Sequence, residues 1–309
     1  MEFFHNVPHI NFLGVRKFAM GMSIVVLLAA IASLAVRGLN FGVDFTGGVT
    51  VQVAYPTSVD LNKVRGALAA SGFENAIAQN YGTPQEVLIR LQAKGQSEKD
   101  AGEKVLAALQ KSEPQVKLEQ VNFVGPEVGK DLATKGALAF AVTLFGILIY
   151  IVLRFEWRLA LGAVAATLHD VVFVVGFFSL LHIEFDLNVL ASVLAVMGYS
   201  VNDTVVVFDR IREDFRKMRK GSPIEIMNAA INETLSRTIM TSGVTLLVVI
   251  ALLVLGGPIL HGFSLALFVG IIVGTYSSIY IASATALMLG VSKSDLMPTQ
   301  KDKVVDDMP

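Results

Sequence analysis

Long apolar segments decide what this chain can fold into. Each is close to the roughly 20 residues that a helix needs to cross a bilayer. The sequence contains six of them: residues 18–36, 136–153, 159–181, 187–208 and the two halves of 238–292. In the last stretch His261 is the only Asp, Glu, Lys, Arg or His side chain, and Gly256-Gly257-Pro258 with His261-Gly262 supply a break between two helices.

Composition agrees with a membrane protein and excludes several classes. The mean hydropathy is +0.61 over 309 residues. A formal net charge of −1 gives no signal for binding nucleic acid. The absence of cysteine excludes disulfides, thiol chemistry and cysteine-based metal sites. We see no other metal or nucleophile constellation, so no metal, cofactor or enzymatic activity is expected.

The distribution of Lys and Arg predicts the orientation. Basic residues flank one set of helix ends, whereas the short turns at 182–186 and 258–262 contain none. The basic positions are Arg16, Lys17, Arg154, Arg158, Arg210, Arg212, Arg216, Lys217, Arg219, Lys220, Lys293, Lys301 and Lys303. Positive charge favours the cytoplasmic side, so both termini are predicted there and the loop at 37–135 outside. Segment 18–36 exceeds the apolar core of a signal peptide, and we expect it to be retained despite the possible cleavage site Ala30-Ile31-Ala32.

The outer loop has the pattern of a small folded domain. Strand-like runs at 49–55, 76–81, 86–91 and 116–124 alternate with helix-like runs at 59–71 and 98–110. The order β-α-β-β-α-β predicts a ferredoxin-like α+β domain. Its mixed charges favour binding or mechanical coupling over catalysis.

A cytoplasmic loop before the fifth span contains a helix start at Ser222, Pro223 and Glu225. Ile224, Met227, Ile231 and Leu235 follow at helical spacing. They predict an amphipathic helix that lies on the membrane surface or against the bundle.

The prediction as a whole is an α-helical polytopic membrane protein with six transmembrane helices and a small periplasmic domain between the first two. The boundaries are 1–17 cytoplasmic N-terminus, 18–36 first span, 37–131 periplasmic domain with hinges, 132–153 second span, 158–181 third, 187–208 fourth, 209–236 cytoplasmic loop, 237–257 fifth, 263–290 sixth and 291–309 cytoplasmic tail.

Asp203 is the main candidate for function, because a carboxylate within an apolar span costs about 2.5–3.5 kcal/mol on insertion scales. Arg237, at the mouth of the next span, either pairs with Asp203 or extends towards the membrane surface as a snorkelling anchor. Asp170 lies deeper, twelve residues beyond Arg158, and its neighbour His169 is expected on a different helical face.

Polar and small residues repeat along the faces of the last three spans. Asn188, Ser192, Tyr199 and Asp203 share one face of the fourth span; Arg237, Thr241 and Thr245 do so on the fifth, and Thr275 and Ser278 on the sixth. Gly270 and Gly274 form a GxxxG pair. For the hydroxyls we favour a helix–helix interface, and for Asp203 we favour a function.

Four motifs in order carry a family resemblance over almost the whole chain. They are RGLNFGVDFTGG at 37–48, GPEVG at 125–129, GYSVNDTVVVFDR at 198–210 and ETLSRT at 233–238. With these motifs the chain closely resembles the SecF family, whose members are the smaller partner of SecD in bacterial protein export.

The resemblance implies an RND-like half-transporter in the bacterial inner membrane. It implies that SecD is a separate partner, and that the pair uses the proton-motive force to assist late polypeptide export beside the SecYEG channel, with YajC. Asp203 and Arg237 then match the intramembrane charged pair, and Asp170 matches a family position of less certain role. Protons, membrane lipids and the translocating polypeptide are the other implied partners.

The same resemblance implies hinges between the outer domain and the spans, at Asp44, Gly47 and Gly48 and at Gly125, Pro126 and Gly129. For Asp44, a hinge or an ordinary turn before two glycines is the favoured interpretation. Contact with the polypeptide is the alternative.

Three rival functions remain open from the residues. One is an RND-type exporter of a lipid or small molecule, which would need an amphiphile pocket in the outer domain. Another is an intramembrane aspartyl protease that uses Asp170 and Asp203, which we disfavour because helix rise puts their depths about 9 Å apart. The third is a scaffold that tolerates the loss of Asp203.

Overall fold

The computed structural model describes residues 8–73, 76–91, 98–218 and 220–296. In these ranges six helices are long and apolar enough to cross a membrane, which confirms the predicted fold class. They are α1 (Arg16–Arg37), α5 (Pro126–Arg154), α6 (Trp157–Leu180), α7 (Leu187–Lys217), α8 (Pro223–Leu255) and α9 (Gly257–Ser277), the last prolonged by a π-helical turn (Ser278–Ala282) and α10 (Ser283–Met288). A short α11 (Lys293–Leu296) follows. The first seven residues, Arg219 and the tail beyond Leu296 lie outside the described residues.

Small residues allow the helices of the bundle to approach closely. A Cβ atom added at Gly270 would lie 2.2 Å from a methyl carbon of Val196, and one added at Gly274 would lie 3.1 Å from Cβ of Ser200. The GxxxG pair therefore packs α9 against α7. Gly176 on α6 plays the same part against Ala30 on α1, where an added Cβ would lie 2.2 Å from the alanine Cβ.

Helix α8 corrects the prediction of a separate amphipathic helix before the fifth span. The expected capping box at Ser222 and Glu225 starts the helix, but nothing between it and Arg237 breaks the helix, and it continues to Leu255. Its apolar stripe packs against the bundle, where Met227 and Ile231 are buried in the same core as Leu13.

The break between the fifth and sixth spans is at Gly256 and Gly257, and Gly257 has a φ of +69°. The predicted turn at 258–262 is wrong in extent, because α9 already begins at Gly257. Helix α7 likewise continues beyond Phe208 to Lys217.

The domain between α1 and α5, called the outer domain after its predicted location, has the predicted β-α-β-β-α-β order. Its elements are β2 (Gly48–Ala54), α3 (Leu61–Ala70), β3 (Ile77–Tyr81), β4 (Thr83–Leu91), α4 (Glu98–Gln110) and β5 (Lys117–Val124). The strands pair antiparallel in the order β3-β4-β2-β5. Alternate β2 residues Val49, Val51 and Val53 enter the core with α3 and α4, which leaves the other face of the sheet free to meet the bundle.

Two short elements join this domain to the bundle and were not predicted. Strand β1 (Asn40–Phe41) pairs in parallel with β6 (Glu184–Phe185), which lies between α6 and α7. A one-turn helix, α2 (Val43–Thr46), then leads into β2. The outer linker is thus attached to the entrance of the helix that carries Asp203.

Candidate functional site

Asp203 lies inside the bundle and receives hydroxyl groups from two neighbouring helices. Its side chain on α7 is buried, and its residue is 5% exposed. Thr238 on α8 donates to Oδ1 at 2.8 Å, and Ser278 in the π-helical turn donates to Oδ2 at 2.6 Å. The carboxyl group thereby connects α7, α8 and the sixth span.

Asp170 has a similar set of partners on the other side of the same turn. Its residue on α6 is 0% exposed. Ser277 donates to Oδ2 at 2.7 Å, and Ser200 on α7 donates to the same oxygen. The other oxygen, Oδ1, lies 2.9 Å from Nδ1 of His169.

These contacts correct two sequence-based expectations about Asp170. His169 was expected on a different face, yet its imidazole turns back to the adjacent carboxyl. The depth difference from Asp203 is also smaller than expected. Ser200, which reaches Asp170, precedes Asp203 by less than one helical turn, which corresponds to about 4.5 Å along α7. Within the described residues, no hydrogen bond joins the two carboxyl groups directly.

The ion pair between Arg237 and Asp203 is not formed in this conformation. Arg237 is exposed, and in the described part of the chain it has no carboxylate partner within 4 Å. Thr238, the next residue, occupies the contact with Asp203 instead. This arrangement agrees with the alternative in which Arg237 extends towards the membrane surface.

The remaining hydroxyl residues of the predicted stripes divide into two groups, and Ser242, which was not predicted, joins the first. Tyr199, Ser242 and Thr275 form a hydroxyl chain across three helices, with oxygen–oxygen distances of 3.1 and 2.8 Å. Ser192, Thr241 and Thr245 bond to carbonyl groups of their own helices. The first group contributes to the interface beside the carboxylates, whereas the second does not.

The π-helical turn next to both aspartates was missed by sequence reasoning. Such turns are uncommon and often mark functional sites. The only sequence signal is the local density of hydroxyl residues at Thr275, Ser277, Ser278 and Ser283, which is also common in ordinary helix interfaces.

Apolar side chains close the bundle on both sides of the carboxylates. Along α7, Val193, Val196 and Met197 are buried before Ser200. Phe208 and Ile211 are buried after Asp203, in the same core as Leu13. The two aspartates are therefore enclosed in this conformation.

The predicted hinge residues come together at the junction, which is the region where the outer domain joins the bundle. Gly47 has a φ of +69° and Gly48 a φ of +142°. An added Cβ at Gly47 would lie 2.9 Å from Cα of Pro126, and one at Gly129 would lie 2.7 Å from the backbone nitrogen of Gly47. Gly125 is the N-cap of α5. The two glycine motifs thus pack backbone against backbone.

Asp44 accepts a hydrogen bond from the backbone N–H of Leu187 at 3.0 Å. It therefore sits at the N-terminus of α7, where a carboxylate also interacts favourably with the helix dipole. This contact favours a structural role over polypeptide binding, with Asp44 joining two segments rather than forming a simple turn.

A cleft of about 490 Å³, lined by both polar and apolar residues, separates the free face of the sheet from the adjacent helix ends. Gln79 donates to Glu184 at 2.8 Å across it, and Arg90 lies 3.8 Å from the same carboxylate. Burial is the main cause that raises the pKa of Glu184 and of Asp186 above their ordinary values. In the described ranges no three His, Cys, Asp or Glu side chains are grouped to hold a metal ion.

Comparison with known proteins identifies related chains over nearly the full length. Residues 104–292 match the family described as "Protein export membrane protein SecD/SecF, C-terminal", and residues 32–57 match "SecD/SecF GG Motif". Protein translocase subunit SecF of Vibrio alginolyticus is 50% identical over 97% of both chains. The SecF subunit of Pseudomonas aeruginosa is 45% identical over 97% of this chain and 98% of the relative.

A solved structure has the same fold. The crystal structure of SecDF, a translocon-associated membrane protein from Thermus thermophilus, superposes with a TM-score of 0.83 at 37% identity, over 91% of this chain. The match spans 39% of the SecDF chain. Together with the six apolar helices, these matches support an accessory role in Sec translocation and a multi-pass inner-membrane location.

Proposed function

The chain belongs to the SecD/SecF family of protein export membrane proteins, and from that premise we propose that it uses the proton-motive force to drive late polypeptide export. The observation that carries the proposal is Asp203, a buried carboxyl group whose partners are hydroxyls. Hydroxyl groups both donate and accept, so they accommodate an ionised or a protonated carboxyl. Asp203 is the proton-coupling group, and Asp170 beside it is the second candidate.

Arg237 acts on Asp203 in another conformation of the cycle. It is one residue from Thr238, which already bonds to Asp203, so a modest movement of α8 brings its charge towards the carboxyl group. An approaching cation favours the ionised carboxylate and so promotes proton release. Each charge that crosses 100 mV provides about 2.3 kcal/mol, enough to bias the bundle between two conformations.

The route from the carboxylate to the outer domain runs along α7. Asp44 contacts the first residue of this helix, and Asp203 lies sixteen residues further, about 24 Å along the axis. A movement of α7 would therefore displace the outer linker and change the contact between Gly47 and Gly129. The outer domain moves relative to the bundle at this hinge.

Partners follow from the family and from the half-transporter architecture. SecD supplies the second half, as the solved SecDF chain contains a region like this one together with a larger remainder. The pair works with SecYEG, YajC, the translocating polypeptide and the surrounding lipids. Both termini are cytoplasmic and the sheet domain is periplasmic, as the Lys and Arg distribution predicts.

The rival functions lack specific support. The cleft at the outer domain mixes polar residues such as Gln52 and Gln120 with apolar residues such as Leu88 and Ile183, so it is not the predominantly apolar pocket typical of small-molecule sites and gives an amphiphile exporter no specific support. Asp170 and Asp203 are each bonded to serine rather than to each other, so they do not share a proton as the carboxyl pair of an aspartyl protease does.

The test is export of a preprotein into inverted membrane vesicles that contain the cognate SecD. Asp203→Asn should remove the stimulation by a proton gradient and leave insertion and the ATP-driven stage intact. Arg237→Met should reduce the stimulation, and Arg237→Lys should restore part of it. Normal gradient-stimulated export by Asp203→Asn would refute the proposal, and parental behaviour of both Arg237 variants would leave that residue as an anchor only.

A further inference from the structure

We infer that Ser277 and Ser278 are positioning residues that sense the protonation of Asp170 and Asp203 and transmit it to the backbone of the sixth span. This inference rests on the proposed proton-coupled function. It states how protonation of the same site changes the structure of the sixth span. It concerns two consecutive residues at the entry of the π-helical turn.

Each serine reaches a different aspartate. Ser277 donates to Asp170 on α6, and Ser278 donates to Asp203 on α7. Consecutive helical residues point about 100° apart, which allows neighbouring positions to contact different helices. A single segment of the sixth span therefore contacts both carboxyl groups.

Each serine also has a second acceptor in its own helix. The hydroxyl of Ser277 lies 3.1 Å from the carbonyl oxygen of Gly274, and that of Ser278 lies 3.0 Å from the carbonyl oxygen of Thr275. A hydroxyl carries one proton and donates it to one of these acceptors at a time. The two possible acceptors define two states for each serine.

Protonation of the carboxyl group selects between these states. An ionised carboxylate only accepts, so the serine donates to it. A protonated carboxyl group donates its own proton to the serine oxygen, and the serine hydroxyl then turns to the carbonyl three residues earlier. Every polar group keeps a partner in both states, so the change leaves no unsatisfied donor in the dry interior.

The backbone next to these carbonyl groups is suited to respond. The π-helical turn starts at Ser278, and the carbonyl oxygen of Ser278 accepts from the hydroxyl of Ser283 at 3.2 Å. A hydroxyl that back-bonds in a helix bends it locally. Because Gly274 packs against Ser200 of α7, a shift there is passed to the helix that carries Asp203.

The experiment compares Ser278→Ala and Ser277→Ala with Ser264→Ala in the full-length chain, reconstituted with its SecD in liposomes. Ser264 is a matched control, since it lies on the same helix, is 0% exposed and has no hydrogen-bond partner among the described residues. Labelling by a hydrophobic carbodiimide, which reacts with protonated carboxyl groups, is measured against pH by mass spectrometry of the peptides that contain Asp170 and Asp203.

Where the parent is weakly labelled, Ser278→Ala should raise the labelling of Asp203 by about tenfold, because the ionised carboxylate loses a donor. Labelling of Asp170 should stay unchanged. Ser277→Ala should give the reverse selectivity, and Ser264→Ala should match the parent at both sites. Equal effects of the three variants, or no effect of any, would overturn the inference.

A second measurement tests the backbone response. Amide exchange at residues 278–283, normalised to the intrinsic exchange rate at each pH, should differ between low and high pH in the parent. This normalised difference should be lost in Ser278→Ala. A pH response that Ser278→Ala retains in full would contradict transmission through the serine. If Asp203→Asn abolishes gradient-driven export while Ser278→Ala behaves like Ser264→Ala, the inference alone fails. Retained export by Asp203→Asn would instead overturn the proposed function.

Discussion

Two groups of carboxyl side chains, one inside the bundle and one where the outer domain meets it, differ in their hydrogen-bond donors. In the bundle, Asp170 and Asp203 receive hydroxyl groups, and Asp170 also contacts an imidazole. At the junction, Asp44 and Asp186 receive backbone N–H groups of the first turn of α7.

This difference separates a group that can switch from one that holds a structure. A backbone N–H cannot rotate away, so the acceptor oxygens of Asp44 and Asp186 must stay in place to cap α7. A serine or threonine hydroxyl can reverse its direction and remain satisfied. The bundle site thus keeps its hydrogen bonds in both protonation states, whereas the fixed N–H donors at the junction hold the start of α7 in place.

The largest contrast is expected between Asp170→Asn and Asp186→Asn. The amide at Asp170 cannot release a proton, and we expect gradient-stimulated export to fall at least tenfold. Asn at Asp186 still caps a helix, so gradient-stimulated export should stay within twofold of the parent. Initial rates of export into inverted vesicles, with and without a proton gradient, measure the stimulation for each variant. A loss of equal size in the two variants would remove the distinction between the regions.

A smaller effect is expected from glycine substitutions in the hinge. In Gly129→Ala the new Cβ would lie 2.7 Å from the backbone nitrogen of Gly47, and such overpacking costs about 1–3 kcal/mol. Gly125→Ala is the matched control from the same motif, since an added Cβ there meets nothing within 4 Å. Denaturant titration in mixed micelles should show lower stability for Gly129→Ala alone. Equal stability of the two variants would argue against close packing at the hinge.

The smallest effect is a pH dependence of the contact between the outer domain and the bundle. Burial raises the pKa of Glu184 above its ordinary value of 4.5, against the opposing effect of Arg90, while Asp186 and Asp44 raise it further. The docked pose is therefore favoured when Glu184 is protonated. The contribution of protonated Glu184 to docking of the outer domain is fully present below pH 4.5, and it is lost as the pH rises through the raised pKa of Glu184.

Spin labels at Lys63→Cys and Leu181→Cys report this docking, and the chain has no native cysteine to interfere. The distance distribution should broaden as the pH rises through the raised pKa of Glu184. In Glu184→Gln, which stays neutral, the pH response should shrink, while Asp186→Asn should retain the Glu184-dependent part. An unchanged response in Glu184→Gln would assign the effect to another group.

Much of the architecture was predictable because hydrophobic length and strand alternation are local properties. The six apolar segments and the order of the outer domain both agree with the structure. The errors concern continuity: α8 joins the predicted amphipathic helix to the fifth span, and α7 continues beyond its apolar segment. A helix continues wherever no residue breaks it, whether or not its environment changes.

The site was predictable only in part. Asp203 and Asp170 were found because a carboxylate in an apolar span is costly. Their partners Thr238, Ser277 and Ser278 had no such signal, since hydroxyl residues are common in membrane helices. The contact of His169 with Asp170 was not predicted, because side-chain rotation can bring adjacent helical positions together although they lie on different faces.

The sequence by itself determined the six helices, the split βαβ domain and the presence of buried carboxylates, all of which depend on local pattern and on the cost of burying charge. Only the tertiary structure decided which hydroxyls meet each carboxylate, that Arg237 stands apart, and that a π-helical turn lies between the two aspartates. Those features depend on how helices that are distant in sequence are rotated and positioned relative to one another. Close packing at glycines sets this arrangement.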